Sequence, residues 1–201
     1  MLPGSAEVRA AMNGLWLVIF QDKENPRDPM DYFQSDTDAF FRSFTVFFFA
    51  LPIYIGMAHV QWTIAFAHDI TQATSSTYTI AQVFSEAMNF LLFPALVLLV
   101  ARPLKISNRF TPYIIVINWS SLALALFFAP LYILYLIGLL GPIDLVIWSF
   151  FFQIAGLWFL WRLSTIALRC DWFTAVELVV LILATGFCVN WLADALFSLS
   201  A

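Results

Sequence analysis

Charged side chains are scarce in this sequence. Only 11% of its 201 residues are Asp, Glu, Lys or Arg, while 62% are hydrophobic and 22 are Phe. A soluble domain needs roughly a quarter of its residues charged to cover its surface. The shortage excludes a soluble globular protein, and the long uncharged runs identify lipid as the surrounding medium.

Cysteine and recognisable catalytic motifs are also lacking. The two cysteines, Cys170 and Cys188, have neither a CxxC nor a zinc-binding spacing, which favours structural thiols that pack like small hydrophobic residues. The sequence contains no nucleotide-binding glycine loop, HExxH, nucleophile elbow or paired histidines for haem. We therefore expect a protein that is not an enzyme, with no catalytic residue, no cofactor and no metal site.

Long apolar runs are what the sequence has in place of charge. Crossing about 30 Å of hydrocarbon takes roughly 20 helical residues, and five stretches are long enough: 40–61, 79–101, 113–140, 143–168 and 173–199. Gly141 and Pro142 separate the third span from the fourth, because proline ends the preceding helix. The expected fold class is all-α: a polytopic membrane protein with five transmembrane helices and an N-terminal interfacial amphipathic helix.

The first 38 residues differ from the rest of the chain. An apolar stripe at helical spacing predicts the interfacial helix; its members are Val8, Met12, Leu15, Trp16 and Ile19. Residues 21–38 then hold six acidic residues against two basic ones, so the net charge of −4 falls in this stretch, and residues 35–38 offer N-caps for the first span. We divide the chain into a cytoplasmic amphipathic helix with an acidic segment, 1–38, and a five-helix transmembrane domain, 39–201.

The nine basic residues predict the orientation, because Lys and Arg are retained on the cytoplasmic side during insertion. They lie before or at the base of the first span, between the second and third spans, or beside the turn between the last two: Arg9, Lys23, Arg27, Arg42, Arg102, Lys105, Arg109, Arg162 and Arg169. The other loops and the C-terminal tail have none. We therefore expect a cytoplasmic N-terminus and an external C-terminus, in the cytoplasmic (inner) membrane of a bacterium.

Two charged residues are expected to pair between the fourth and fifth spans. Arg162 and Glu177 are equally distant from the turn at residues 169–170, so antiparallel helices place both about 11 Å from that turn. We favour a structural ion pair that fixes the hairpin over a functional role. Asn118 and Gln153, each inside a span, are expected to form interhelical hydrogen bonds.

Four residues form a candidate polar cluster: Glu86, Asn89, Asn190 and Asp194. Glu86 is expected roughly two turns into the second span, Asn89 one turn deeper, and the other two at comparable depth in the fifth span. If these spans touch, the cluster can bind a cation or relay a proton. Alternatively, a protonated Glu86 bonds to an asparagine and only holds two helices together.

The arrangement of the whole chain resembles the Yip-domain family of membrane proteins. The shared features are an N-terminal cytoplasmic segment, five closely connected spans and a very short external C-terminus. Gly141-Pro142 followed by Ile143-Asp144-Leu145 is similar, in a different order and composition, to that family's Asp-Leu-Tyr-Gly-Pro element. For eukaryotic members the resemblance implies membrane trafficking and association with Rab GTPases, and for bacterial members residence in the membrane. It carries over no functional residue.

Two functions from different classes remain, both with the lipid bilayer as partner and neither involving nucleic acid. The first is a Yip-like membrane scaffold or accessory subunit, with the acidic segment as a handle for a membrane-protein partner or a second copy. The second is a small oligomeric transporter or channel that uses the candidate polar cluster. An enzyme acting on lipids comes third, because His59, His68 and Asp69 are too few for its site.

Overall fold

The computed structural model describes residues 3–20 and 27–199, and these fold into helices with no strand. The described ranges contain seven α-helices: α1 (Ser5–Ile19), α2 (Thr37–Phe44), α3 (Val46–Ala67), α4 (Ser75–Val100), α5 (Phe110–Leu136), α6 (Pro142–Leu168) and α7 (Trp172–Phe197). Short 3₁₀ turns lie at Pro29–Tyr32 and Ser107–Arg109. The all-α fold class is confirmed.

Five helical segments are long and apolar enough to cross a membrane. The first is the nearly continuous pair α2 and α3, and the others are α4, α5 with the 3₁₀ turn before it, α6 and α7. The five predicted spans are therefore confirmed in number and order. An integral membrane protein is the class that these helices fit.

The helices begin and end up to six residues away from the predicted limits. α3 continues to Ala67, whereas its span was predicted to end at residue 61. At the start of α2, the Asp36 carboxylate accepts the N–H of Ala39 at 2.7 Å, which confirms a cap within residues 35–38. Thr74 caps α4 in the same way, so this helix begins four residues before the predicted span.

The five spans form a ring in the order α3, α4, α7, α6 and α5, and α4 and α5 also touch each other. α5 is the most enclosed, because α1 and α2 also pack against it, and all of its residues from 113 to 120 are buried. Half of the most apolar 18-residue stretch of this span is buried, compared with 22–28% of the corresponding stretch in the other four spans. Those four spans therefore leave most of their surface to lipid or to another protein.

α1 is present as predicted, but it packs against the bundle. Ala11, Leu15 and Val18 are buried in the core beside α5 and α6. Trp16 is 61% exposed, and Ile19 is exposed as well. The predicted apolar stripe is therefore divided between two faces of the helix. The interfacial position of the exposed face stays a prediction.

Two ion pairs hold the N-terminal segment against the bundle. Arg42 Nε of α2 lies 3.2 Å from Glu7 Oε2 of α1. Arg169 Nη2, in the turn between α6 and α7, lies 2.9 Å from Asp28 Oδ2. Because both pairs are partly exposed, each stabilises the structure by only about 0–1 kcal/mol. The apolar packing of α1 therefore contributes most of the attachment.

The acidic segment is partly engaged within the chain. Asp28, besides its ion pair, accepts the backbone N–H two residues further on and caps the first 3₁₀ turn. Asp36 caps α2, and Asp31 is exposed. Asp22 and Glu24 lie outside the described residues. Some of the acidic groups predicted to bind a partner therefore have structural roles inside this chain.

Candidate functional site

Glu86 lies near the middle of α4. It comes eleven residues after the first residue of this helix, Ser75, which is about 17 Å or three turns. The predicted two turns were counted from residue 79, the start of the apolar run, and α4 begins four residues before it; the depth of Glu86 in the membrane stays a prediction. Asn190 and Asp194 lie about 10 Å and about 5 Å from the C-terminal end of α7.

The candidate cluster requires α4 and α7 to touch, and these helices do pack against each other. The rings of Phe84 and Phe197 meet there, with centroids 5.7 Å apart. Asn190 and Asp194 are nevertheless exposed on α7, while Glu86 and Asn89 are half-buried on α4. No hydrogen bond within the described ranges joins any of these four side chains to another. The structure therefore brings the two helices together without linking the four polar groups.

The helices α3 and α5 both pack against α4 and carry further polar side chains. They include Tyr54 of α3 and Tyr132 of α5. Gln61 of α3 donates from Nε2 to the Tyr132 hydroxyl at 3.0 Å. We refer to this group as the interior polar cluster: Tyr54, Gln61, Ser85, Glu86, Asn89 and Tyr132.

Two atoms of the interior polar cluster are buried without a hydrogen-bond partner in the described part of the chain: Ser85 Oγ and Asn89 Oδ1. Ser85 is only 1% exposed. The two residues are four positions apart, so they lie one turn apart on one face of α4. A buried unsatisfied polar group costs about 1–3 kcal/mol. A further polar group that reached this face would therefore bind favourably.

The sequence analysis misses Tyr54, Gln61 and Tyr132. Gln61 falls at the predicted end of the first span, whereas α3 continues to Ala67 and places it inside the membrane segment. The tyrosines count as apolar or interfacial residues in a hydropathy reading. The signal that could have found part of the cluster is the seven-residue spacing of Tyr54 and Gln61, which puts both on one face of a helix.

The predicted ion pair between Arg162 and Glu177 is not formed. Neither of the two ion pairs in the described ranges includes these residues, and Glu177 is exposed. Arg162 Cζ instead lies 5.6 Å from the ring centroid of Trp158, one turn earlier on α6. A cation–π contact of this kind stabilises by about 0.5–1 kcal/mol. Equal depth was a sound expectation, but depth does not determine the rotation of each helix about its axis.

Asn118 and Gln153, the two predicted interhelical hydrogen-bonders, have opposite environments. Asn118 is buried in α5, and its Nδ2 donates to Ser43 Oγ of α2 at 2.9 Å, which confirms the prediction for this residue. Gln153 comes eleven residues after the start of the 27-residue α6 and is exposed. It has no hydrogen bond to another described residue, so the prediction is wrong for Gln153 within a single chain.

The turn between α6 and α7 contains two groups with shifted pKa values. Burial raises the pKa of the Cys170 thiol, which keeps it protonated and unreactive near neutral pH. Asp171 caps α7: it accepts the Thr174 hydroxyl at 2.6 Å and the N–H groups of Phe173 and Thr174. These hydrogen bonds, the Thr174 hydroxyl first, lower the pKa of Asp171. Cys188, in contrast, is exposed on α7.

Comparison with known proteins leaves the function to be argued from this geometry. No protein-family model, no curated protein and no solved structure matches the chain. The resemblance to the Yip-domain family therefore stays a prediction. In the ranges that the structure describes, no group of three or more His, Cys, Asp or Glu side chains is placed to hold a metal ion.

Proposed function

We propose that the chain is a non-catalytic integral membrane protein that acts as a scaffold or accessory subunit of a membrane complex. The observation that carries this proposal is the exposed Gln153 near the middle of α6. Hydrocarbon offers no hydrogen-bond partner, so an amide exposed to it costs roughly 2–7 kcal/mol. A partner helix that bonds to Gln153 would remove this cost.

The surface around Gln153 suits a neighbouring membrane helix. Along residues 142–155 of α6 only Leu145 is buried, and large apolar side chains such as Phe150 are exposed. Asn190 adds a second exposed amide on α7. Polar side chains on an otherwise apolar membrane surface hold helices together by hydrogen bonding. The partner is therefore a membrane-embedded protein, and a second copy of this chain is one form that it can take.

The proposed partner binds at α6 and not at the acidic segment. Asp28 and Asp36 already have roles inside the chain, which weakens the acidic segment as a handle. The Yip-domain resemblance implies membrane trafficking and association with Rab GTPases for the eukaryotic members of that family, which is also a role in binding other proteins.

Replacing Gln153 by Leu tests the proposal. The wild-type protein, extracted in mild detergent, should elute with a second protein or a second copy, and Gln153→Leu should release that partner because it removes the amide and keeps an apolar side chain. Gln72→Leu, in the exposed loop before α4, is the matched control and should retain it. A wild-type chain that is monomeric in detergent and is not crosslinked in native membranes would contradict the proposal.

A second candidate function is proton or cation transfer through the interior polar cluster. The observation in its favour is Glu86 at the middle of α4, beside the unsatisfied Ser85 Oγ and Asn89 Oδ1. Ionisable residues inside spans are costly and commonly mark ion or proton pathways. Asn190 and Asp194 are exposed on α7, so they would join such a pathway only through a neighbouring chain in an oligomer.

A flux assay in proteoliposomes decides this second candidate. The wild-type protein should conduct protons or a monovalent cation, and Glu86→Gln should abolish the flux because it removes the titratable group and keeps the size of the side chain. Asp69→Asn, an exposed carboxylate in the loop before α4, is the control and should conduct normally. A wild-type protein without flux of protons or common cations removes the candidate.

We also propose that the end of the bundle that carries α1 faces the cytoplasm. Of the nine basic residues, eight lie in the described ranges, and all eight are at this end: before or in α2, between α4 and α5, or in the last two turns of α6 and just after it. Retention of Lys and Arg in the cytoplasm favours this orientation. The proposed location is the cytoplasmic (inner) membrane of a bacterium.

A further inference from the structure

Two side chains of opposite charge, Arg162 of α6 and Glu177 of α7, lie inside spans and belong to neither ion pair of the described ranges. Arg162 Nε is buried and has no hydrogen-bond partner in the described part of the chain, and Glu177 is exposed. Charged groups inside a span are costly unless they meet an opposite charge or water. One base and one acid are therefore available for pairing with a neighbouring molecule.

The two charges lie at nearly the same depth. Arg162 comes six residues before the last residue of α6, Leu168, which is about 9 Å, and Glu177 comes five residues after the first residue of α7, Trp172, which is about 8 Å. The two helices pack against each other and are joined by a short turn. Copies of one protein insert with one orientation. Arg162 of one copy therefore lies at the depth of Glu177 in another copy.

Both charges lie on a side of the α6–α7 pair that is turned away from the bundle. Trp158, the ring next to Arg162, is 43% exposed. Ala184 and Cys188 follow Glu177 by about two and three turns on the same face of α7, and both are exposed. Such small side chains let another helix approach closely. We refer to this surface as the charged face: Trp158, Arg162, Glu177, Ala184 and Cys188.

The Arg162 side chain extends into the span and not towards the headgroups. Its Cζ lies 5.6 Å from the ring centroid of Trp158, which is one turn earlier on α6 and so further from the α1 end of the bundle. An arginine that reaches for water at that end would extend the opposite way, towards residues 165–169. A guanidinium held within the span needs a counter-charge from a neighbouring helix.

We propose that the charged face binds a second copy of the chain, with Arg162 of each copy paired to Glu177 of the other. A two-fold axis that brings Arg162 to Glu177 also brings Glu177 to Arg162, so one base and one acid make two ion pairs. The axis runs along the membrane normal, because both copies have the same orientation, and both pairs then lie at one depth. A face with one acid and one base at equal depth is complementary to itself, which is why the occupant is a second copy.

The charged face is separate from the surface around Gln153. Arg162 comes nine residues after Gln153 on α6, which is about two and a half turns, so the two side chains lie on opposite sides of the helix. A copy bound at the charged face leaves Gln153 available to its own partner. The inference therefore goes beyond the scaffold proposal and does not depend on it.

Reversal of charge in co-expressed copies tests the pairing. Full-length copies with two different affinity tags are crosslinked in native membranes and extracted in mild detergent, and recovery of one tag with the other measures association. All copies also carry Gln153→Leu, which removes any contact at that surface. Arg162→Glu alone or Glu177→Arg alone places like charges at both contacts, so association should weaken about a hundredfold, a factor of about ten for each contact.

Mixing the two variants should restore association. Copies with Arg162→Glu and copies with Glu177→Arg bring opposite charges together at both contacts, so they should associate as strongly as copies with the native residues. This rescue also shows that both variants fold. Asp38→Arg in α2 and Arg102→Glu between α4 and α5 are the matched controls, because both are exposed charges at the same end of the bundle. Neither should change the association.

The proposal is overturned if copies with the native charges are not recovered together, or if neither single reversal weakens their association. Mixed copies that stay apart also overturn it. If the double variant Arg162→Glu/Glu177→Arg then associates, the two charges pair within one chain. Release of a membrane partner by Gln153→Leu alone is a separate measurement, so the scaffold proposal can fail while the charged face still binds a second copy.

Discussion

Single buried polar side chains join helices of this bundle at particular heights. Asn118 of α5 donates to Ser43 of α2, and Tyr113 of α5 bonds to Ser164 of α6 at 3.1 Å, with all four residues buried. In hydrocarbon such a bond is one of the few interactions that distinguish one helix neighbour from another. The enclosed position of α5 is therefore fixed by direction-specific contacts as well as by apolar packing.

Asn118→Leu should lower the free energy of unfolding by about 1 kcal/mol, because it removes the donor to Ser43 and leaves an apolar side chain of similar size. Thermal unfolding in detergent measures the change. Ser120→Ala is the control, since the Ser120 hydroxyl donates to the carbonyl of Ile117 in its own helix, and it should stay close to the wild type. Equal unfolding temperatures for the two variants would mean that the interhelical bond contributes nothing.

Asp171 should make the stability of the bundle depend on acid. Its carboxylate caps α7, and the hydrogen bond from the Thr174 hydroxyl and those from the backbone lower its pKa in the folded state. A group whose folded pKa is lowered stabilises the fold above its unfolded pKa, roughly 3.9, and loses this contribution as pH falls through the folded pKa. Asp171→Ala should therefore be less stable than the wild type at neutral pH, and the gap should narrow in acid.

Unfolding measured from pH 7 down to pH 3 tests this dependence on Asp171. Asp38→Ala removes an exposed carboxylate in the first turn of α2 that makes no hydrogen bond among those described. A difference between Asp171→Ala and the wild type that stays constant across this range, as in this control, would refute the role of the cap.

Depth along a span could be predicted for single residues, but rotation about the helix axis could not. Asn118 was predicted to bond to another helix because an amide in a long apolar run has no water to bind. Arg162 and Glu177 were placed at equal depth, yet Arg162 lies over Trp158 and Glu177 is exposed. Apolar residues cover nearly the whole circumference of each span. The sequence therefore contains no apolar stripe that would identify the face turned towards the other helices.

At the scale of single elements, side-chain caps determine the helix limits that hydropathy misses. Asp36 and Thr74 each accept a backbone N–H near the start of a helix, and both precede the apolar run that they introduce. This is why the predicted spans were several residues too short at these ends. The C-terminal end of the first span was also predicted too early, because the polar end of α3 resembles a loop in composition. Gln61 was therefore left out of the candidate site.

Gly14→Ala should detach α1 from the bundle. A Cβ at this position would come within 3.0 Å of the Pro29 carbonyl oxygen and the Tyr32 Cβ, and overpacking of this kind costs about 1–3 kcal/mol. That cost exceeds the gain of about 1 kcal/mol from replacing a helical glycine by alanine. Amide hydrogen exchange in residues 5–19 should accelerate in Gly14→Ala.

Gly56→Ala is the matched control for Gly14, because Gly56 also lies inside a helix but would have nothing within 4 Å of its Cβ. It should leave exchange in α1 unchanged and make α3 slightly more stable. Unchanged exchange in Gly14→Ala would show that α1 and the 3₁₀ turn can separate without cost.

At the scale of the whole molecule, the lipid environment made the class predictable and left the order of the helices open. Only α-helices or closed barrels satisfy their backbone groups in hydrocarbon, so five long apolar runs were enough to predict five helical spans. The ring order α3, α4, α7, α6, α5 depends on small contacts such as Phe84 with Phe197. Apolar spans of similar composition do not reveal these contacts.

Labelling of single cysteines should establish the orientation. With Cys170 and Cys188 replaced by Ala, a membrane-impermeant maleimide applied to intact cells should label Gln72→Cys, in the loop before α4. Asn108→Cys, in the connection between α4 and α5, should react only after permeabilisation, because the proposed orientation places the basic residues around it in the cytoplasm. The reverse pattern would place the α1 end outside.

The ion pair between Asp28 and Arg169 also has a consequence for the timing of assembly. These two residues are 141 positions apart in the chain. At a synthesis rate of about 5–20 residues per second, roughly 7–28 s pass between the emergence of the first and the second. The N-terminal segment therefore waits, without its contact to Arg169, until the turn between α6 and α7 has been synthesised. Closure of this pair marks a chain in which the first four spans have been made and α7 follows.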